Sequence, residues 1–107
     1  MEPILMMTLA TALKGLAVAV AVGAIIALLK FRTIIDWFQQ RTALAMRDRR
    51  NVAFTLQDRL KNGHYRTVQG IFSPVQDALL DAQGYCSREV DSEIERVHSG
   101  QDLVVYQ

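Results

Sequence analysis

The stretch "GLAVAVAVGAIIALLK" (Gly15–Lys30) decides how this chain is read. Its middle, Ala17–Val22, alternates strictly between Ala and Val, and a period of two ordinarily marks a β-strand. Hydropathy argues the other way. The 15 residues Gly15–Leu29 carry no charge, and as a helix they would extend about 22 Å at about 1.5 Å per residue. Continuing back through "ILMMTLATAL" (Ile4–Leu13) reaches the length needed for a hydrocarbon core of about 30 Å. Lys14 then falls inside the span and snorkels to the nearer interface. A lone strand in lipid would leave its backbone N–H and C=O groups unpaired, whereas a helix satisfies its own. A transmembrane helix over residues 1–30 is therefore expected. A cleaved signal peptide is the competing reading, but "KFRTII" follows the apolar run with no small-x-small cleavage site.

Charge orients that helix. Only Glu2 and Lys14 are charged among the first 29 residues. Lys30–Arg50 then holds six basic residues against Asp36 and Asp48, a balance of +4, and the chain from Ser73 onward carries −5, from two basic and seven acidic residues. The positive-inside rule predicts the N-terminus outside and the C-terminal domain cytoplasmic, in a bacterial inner (plasma) membrane. Lys30, Arg32, Trp37, Arg41, Arg47, Arg49 and Arg50 are the expected membrane-surface contacts. The lipid bilayer, and no nucleic acid, is the partner such a basic collar implies. Cys86 is the single cysteine, so no internal disulfide can form.

The alternation has a second reading within a helix. Thr11, Gly15, Ala19, Gly23 and Ala27 recur at i+4, a stripe of small residues that lets two helix backbones approach closely in lipid. It implies a homo-oligomer or a membrane-protein partner subunit. Residues 31–50 contain no Gly or Pro and read as a basic juxtamembrane helical stalk, with Ile34, Ile35, Phe38, Leu44 and Met46 as a partial apolar stripe.

From residue 51 the period changes. "NVAFTLQDRL" and "YRTVQGIF" flank Asn62-Gly63, which predicts a hairpin on a type I′ turn. A helix over the first run, with Gly63 as its C-cap, stays open as the alternative. Ser73-Pro74 and Asp77 mark a turn, and "ALLDAQGY" comes after it as a third strand. Ser87 is read as the N-cap of a helix Arg88–His98 with Val90, Ile94 and Val97 as its buried stripe. "DLVVYQ" closes the chain as a strand. The expected fold is thus a single-pass transmembrane α-helix with a helical stalk, followed by a small α+β domain over residues 51–107, with Phe54, Ile71, Val90, Ile94 and Val104 in its core. A domain this small is marginal alone and implies packing against the stalk, the membrane or other copies.

Groups that carry chemistry are sparse. His64, His98 and Cys86 stand apart, without the spacing of a metal or thiol site, so no catalytic residue, metal or cofactor is expected. "NGHYRTVQG" places His64, Tyr65 and Arg66 beside a turn, where they are candidate contacts for a small anionic ligand. The functional expectation is a bitopic, non-enzymatic accessory or scaffold subunit of a membrane-associated assembly. The alternative is a ligand-gated membrane effector or pore-forming oligomer whose cytoplasmic domain senses such a ligand.

Overall fold

The computed structural model describes residues 3–106, with side chains from residue 9 onward. The apolar run is not one helix. Helix α1 (Pro3–Ala17) stops inside it, and the chain then runs irregularly into strand β1 (Ile26–Leu29). Helices α2 (Phe31–Gln39) and α3 (Thr42–Met46) come next, then strands β2 (Val52–Arg59), β3 (Tyr65–Ser73) and β4 (Ala78–Val90). Helix α4 (Ser92–Val97) and strand β5 (Leu103–Tyr106) complete the chain.

Two contacts divert the apolar run from a helical path. The Arg66 Nη2 of β3 donates to the carbonyls of Ala17 (2.8 Å) and Val20 (2.7 Å). These are carbonyls at and just past the helix end, which a continuing helix would bond for itself. Beyond them the backbone lies on Gly84, with Val22 and Gly84 forming a parallel bridge. A Cβ at Gly84 would sit 2.6 Å from the Ala21 carbonyl oxygen, so only glycine admits this approach. β1 then pairs in parallel with β4, Ile26 against Ser87 and Leu29 against Val90.

The five-stranded sheet has the order β1-β4-β3-β2-β5. All its pairings except β1–β4 are antiparallel. It curls: Tyr106, on the β5 edge, brings its ring within 6.4 Å of Phe31 and 5.4 Å of Phe38 in α2, the helix that succeeds the opposite edge strand. Both faces are covered. One carries the core of Leu13, Ala17, Phe54, Leu56, Val68 and Phe72 under α1. Phe54 opposes Gly70 across β2–β3, and its ring would lie 3.0 Å from a Cβ there, so the glycine makes room for the aromatic. A second cluster joins Leu29, Ile34, Val90 and Ile94. The Asp91 carboxylate serves two helices in it, accepting from Ile94 N at the start of α4 (3.0 Å) and from Phe31 N at the start of α2 (2.8 Å).

Several expectations change. The transmembrane helix is overturned: α1 has 15 residues, and no helix among the described residues is long and apolar enough to cross a membrane. The single-pass membrane-protein reading, the N-outside topology and the bacterial inner-membrane location rested on that span and fall with it. So does the stalk, because α2 and α3 are short helices, and α2 buries Ile34 and Trp37 within the fold. The physical error lay in treating the strand as alone; β4 supplies its partner. Met1 and Glu2, at the head of the expected span, lie outside the described residues, as does Gln107 of the expected last strand.

The β-β-β-α-β order beyond residue 51 agrees with the structure. The hairpin turn is longer than expected: Leu60 N donates to His64 O, Gly63 N donates to Leu60 O, and Gly63 alone takes a positive φ of 87°. This is a three-residue loop rather than type I′. Strand β4 runs on to Val90, so Ser87 lies in the sheet and Asp91 is the true N-cap. Of the expected core, Phe54, Ile71, Val90 and Ile94 are buried, while Val104 is half-buried.

A Gly84→Ala substitution is expected to cost about 1–3 kcal/mol, as overpacking does, and to raise amide exchange across residues 18–29. Urea unfolding with hydrogen exchange reads both, and unchanged protection of that segment would refute the account. Asp91→Ala is expected to cost about 1–2 kcal/mol through the lost cap; an unshifted urea midpoint would show that neither helix depends on it.

Candidate functional site

The residues singled out by sequence divide into three fates. Thr11 and Gly15 share the exposed side of α1, but Ala19, Gly23 and Ala27 lie beyond its end. The small-residue stripe is therefore not a helix face. Of the basic collar, Trp37 and Arg41 turn inward: Trp37 is buried, and the Arg41 Nε donates to Asp81 at 2.6 Å with the guanidinium 4.0 Å from the Trp37 ring centroid. Arg50 is held by Asp48 and Arg32 lies 3.8 Å from Asp36, while Lys30, Arg47 and Arg49 are exposed.

His64, Tyr65 and Arg66 separate as well. Arg66 lies across the sheet from Tyr65, engaged with the end of α1. His64 belongs to the turn, where its N–H donates to the Asn62 side-chain oxygen. Tyr65 alone reaches a cleft, of about 320 Å³, together with Arg59, Arg88, Glu89, Val90 and Glu95. The signal that pairs Arg59 with Tyr65 was present in the hairpin's centre, since these residues oppose each other just before the turn.

Most of the exposed large apolar side chains among the described residues lie in the run Gly15–Lys30. Val18, Val22, Ile25, Ile26 and Leu28 are the large apolar residues exposed there, from 38% for Val22 to 78% for Val18. They lie on and just before β1, whose outer edge carries no further strand among the described residues. Folded proteins usually guard such an edge with lysine, proline or a bulge. Here no charged or proline residue occurs from Gly15 to Leu29.

The sheet face opposite α1 is unexpectedly polar at its centre. Gln69 is fully buried, donating to Ile34 O of α2 (3.0 Å) and accepting from the Tyr85 hydroxyl. Beside it, His98 Nδ1 lies 3.2 Å from Gln101 O, an acceptor, so Nδ1 carries the proton and Nε2 accepts. The Thr55 hydroxyl donates to Nε2 and accepts from the Tyr106 hydroxyl, both at 2.8 Å. Thr55 is only 1% exposed, so this chain ties β2, β5 and the end of α4 together and offers no nucleophile to a substrate. Among the described residues, no group of three or more His, Cys, Asp or Glu side chains is placed to hold a metal ion.

Comparison with protein-family models, with curated proteins and with solved structures finds no match in any of the three.

Burial lowers the His98 pKa from its ordinary 6.5, outweighing the opposing pull of Gln101 O and Asp102. The unfolded chain therefore takes up this proton first, and stability rises with pH across the window. The contribution is complete above 6.5 and declines as pH falls from there through the lowered folded value. Urea midpoints are expected to drop from about pH 7 toward about pH 5, with a shallower slope in His98→Gln. Equal slopes in the two proteins would contradict this assignment.

Proposed function

We propose that this chain is a non-catalytic association subunit that assembles through the open edge of β1, and that the occupant of that edge is a second copy of the chain. The observation that carries the reading is the exposed, uncharged, apolar edge strand with its flanking segment. An edge of this kind offers unpaired backbone donors and acceptors together with apolar side chains. Its natural complement is another extended, uncharged, apolar segment, and every copy presents one at the same place.

Charge favours the two-fold arrangement. In an antiparallel pair centred on Leu28, Lys30 of each copy faces Ile26 of the other. The two lysines then stand about 14 Å apart at about 3.4 Å per residue, beyond the Debye length of about 8 Å at physiological salt. Parallel pairing in register would set them side by side. The antiparallel pair is isologous, so it closes at two and continues each sheet into the other.

Light scattering on a concentration series is expected to give a dimer for the wild type. Ile26→Lys and Leu28→Lys, both at exposed positions, are expected to give folded monomers with the wild-type circular dichroism. A wild type monomeric throughout the series overturns the reading, as does a Lys variant that still dimerises. A monomer that co-sediments with anionic phospholipid vesicles would overturn it in favour of a lipid surface.

A further inference from the structure

Four charged side chains line one cleft without meeting. Arg59 and Arg88, with Glu89 and Glu95, surround the roughly 320 Å³ space beside Tyr65 and Val90. Among the described residues, several opposite charges elsewhere on the molecule do pair, Arg41 with Asp81, Arg50 with Asp48 and Arg96 with Glu93, while others such as Arg47 and Arg49 are simply exposed. Here none of the four makes an ion pair or a side-chain hydrogen bond; Arg59 only stacks its guanidinium 4.9 Å from the Tyr65 ring centroid.

The sheet register places these groups in order. Arg59 opposes Tyr65 across β2–β3, and Tyr65 opposes Ser87 across β3–β4. Directly opposed residues share a face, so the three form one row. Ser87 is fully buried, and its hydroxyl has no hydrogen-bond partner among the described residues. A buried, unsatisfied hydroxyl calls for an explanation; Ser87 opposes Tyr65 and precedes Arg88 in β4, but it is not itself among the residues that line the cleft. The cleft is at the small end of the range for ligand sites, with a tyrosine ring and a buried valine as its apolar wall.

The balance of charge selects the ligand. A simple anion would be drawn to the two guanidinium groups and repelled by the two carboxylates; a simple cation meets the reverse. A molecule carrying both signs gains at each end through charge-assisted hydrogen bonds, which are about twice as strong as neutral ones.

We infer that this cleft binds a free α-amino acid with an apolar or aromatic side chain. Its carboxylate is held by Arg59 and Arg88, its ammonium by Glu89 and Glu95, and its side chain lies against Tyr65 and Val90. This goes beyond the association surface, which lies on the edge of β1 and is tested separately.

The probe is L-phenylalanine, titrated into the isotope-labelled full chain and followed by amide chemical shifts. Saturable shifts are expected at Tyr65, Arg88, Glu89, Val90 and Glu95. Hydrocinnamate, which lacks the ammonium, and phenethylamine, which lacks the carboxylate, are each expected to bind about tenfold more weakly, the loss of one charged anchor. Arg88→Gln and Glu89→Gln remove exposed groups with no intramolecular partner, so both variants fold, and each is expected to weaken L-phenylalanine about tenfold. Absence of saturable shifts overturns the inference and leaves four solvated charges. Equal binding of hydrocinnamate overturns the zwitterion, and full affinity in either variant overturns the site.

Discussion

The fold turns on one guanidinium. Arg66 reaches from the middle of the sheet to the carbonyls of Ala17 and Val20, and the negative end of α1 meets a positive charge there. A helix running on through residues 18–29 would use those carbonyls internally. Hydrogen bonds to a charged group are worth about 1.5–3 kcal/mol each, enough to compete with continued helix across a run rich in β-branched valine. Once the helix stops, the chain is free to cross Gly84, and the missing Cβ there lets the backbone settle onto the sheet.

Stopping the helix there yields a sheet built from both ends of the chain. The segment beyond residue 51 supplies four strands, but it does not cover them. Leu13 and Ala17 of α1 close one face; Leu29, Ile34 and Trp37 contribute to the burial on the other. A domain of that size buries too little on its own, and the first 50 residues supply the remainder. Asp91 binds the parts together, because one carboxylate holds the starts of α2 and α4. The curl that brings Tyr106 to Phe31 and Phe38 places the two edges of the sheet under the same helix.

The same diversion leaves a group of exposed apolar side chains on and before β1 rather than in a core. Val18 through Leu28 is the part of the apolar run that neither α1 nor the sheet fully absorbs. The association reading begins from that imbalance between what the run contains and what the fold buries. The cleft at the far end of the hairpin is separate in origin: it arises where the β2–β3 turn, the end of β4 and α4 converge, and it collects charges rather than apolar surface.

Some of this was legible in the residues. The first three strands beyond residue 51 fall where their residue types and the Asn62-Gly63 signal placed them, although the turn is a three-residue loop and β4 runs on to Val90 in place of the expected helix start; Phe54, Ile71, Val90 and Ile94 are buried as expected. These are local signals, carried by side-chain period and turn chemistry. Thr55, Thr67 and Gln69 are polar, yet all three are buried, because the helix covering their face comes from residues distant in sequence. Gly15–Lys30 shows the limit most clearly. By itself the sequence determined that this run is apolar, uncharged and unable to stand alone as a strand. Whether it stood alone was decided by Arg66 and by β4, more than 45 residues away along the chain, since a backbone hydrogen bond belongs to two segments and a period is read from one.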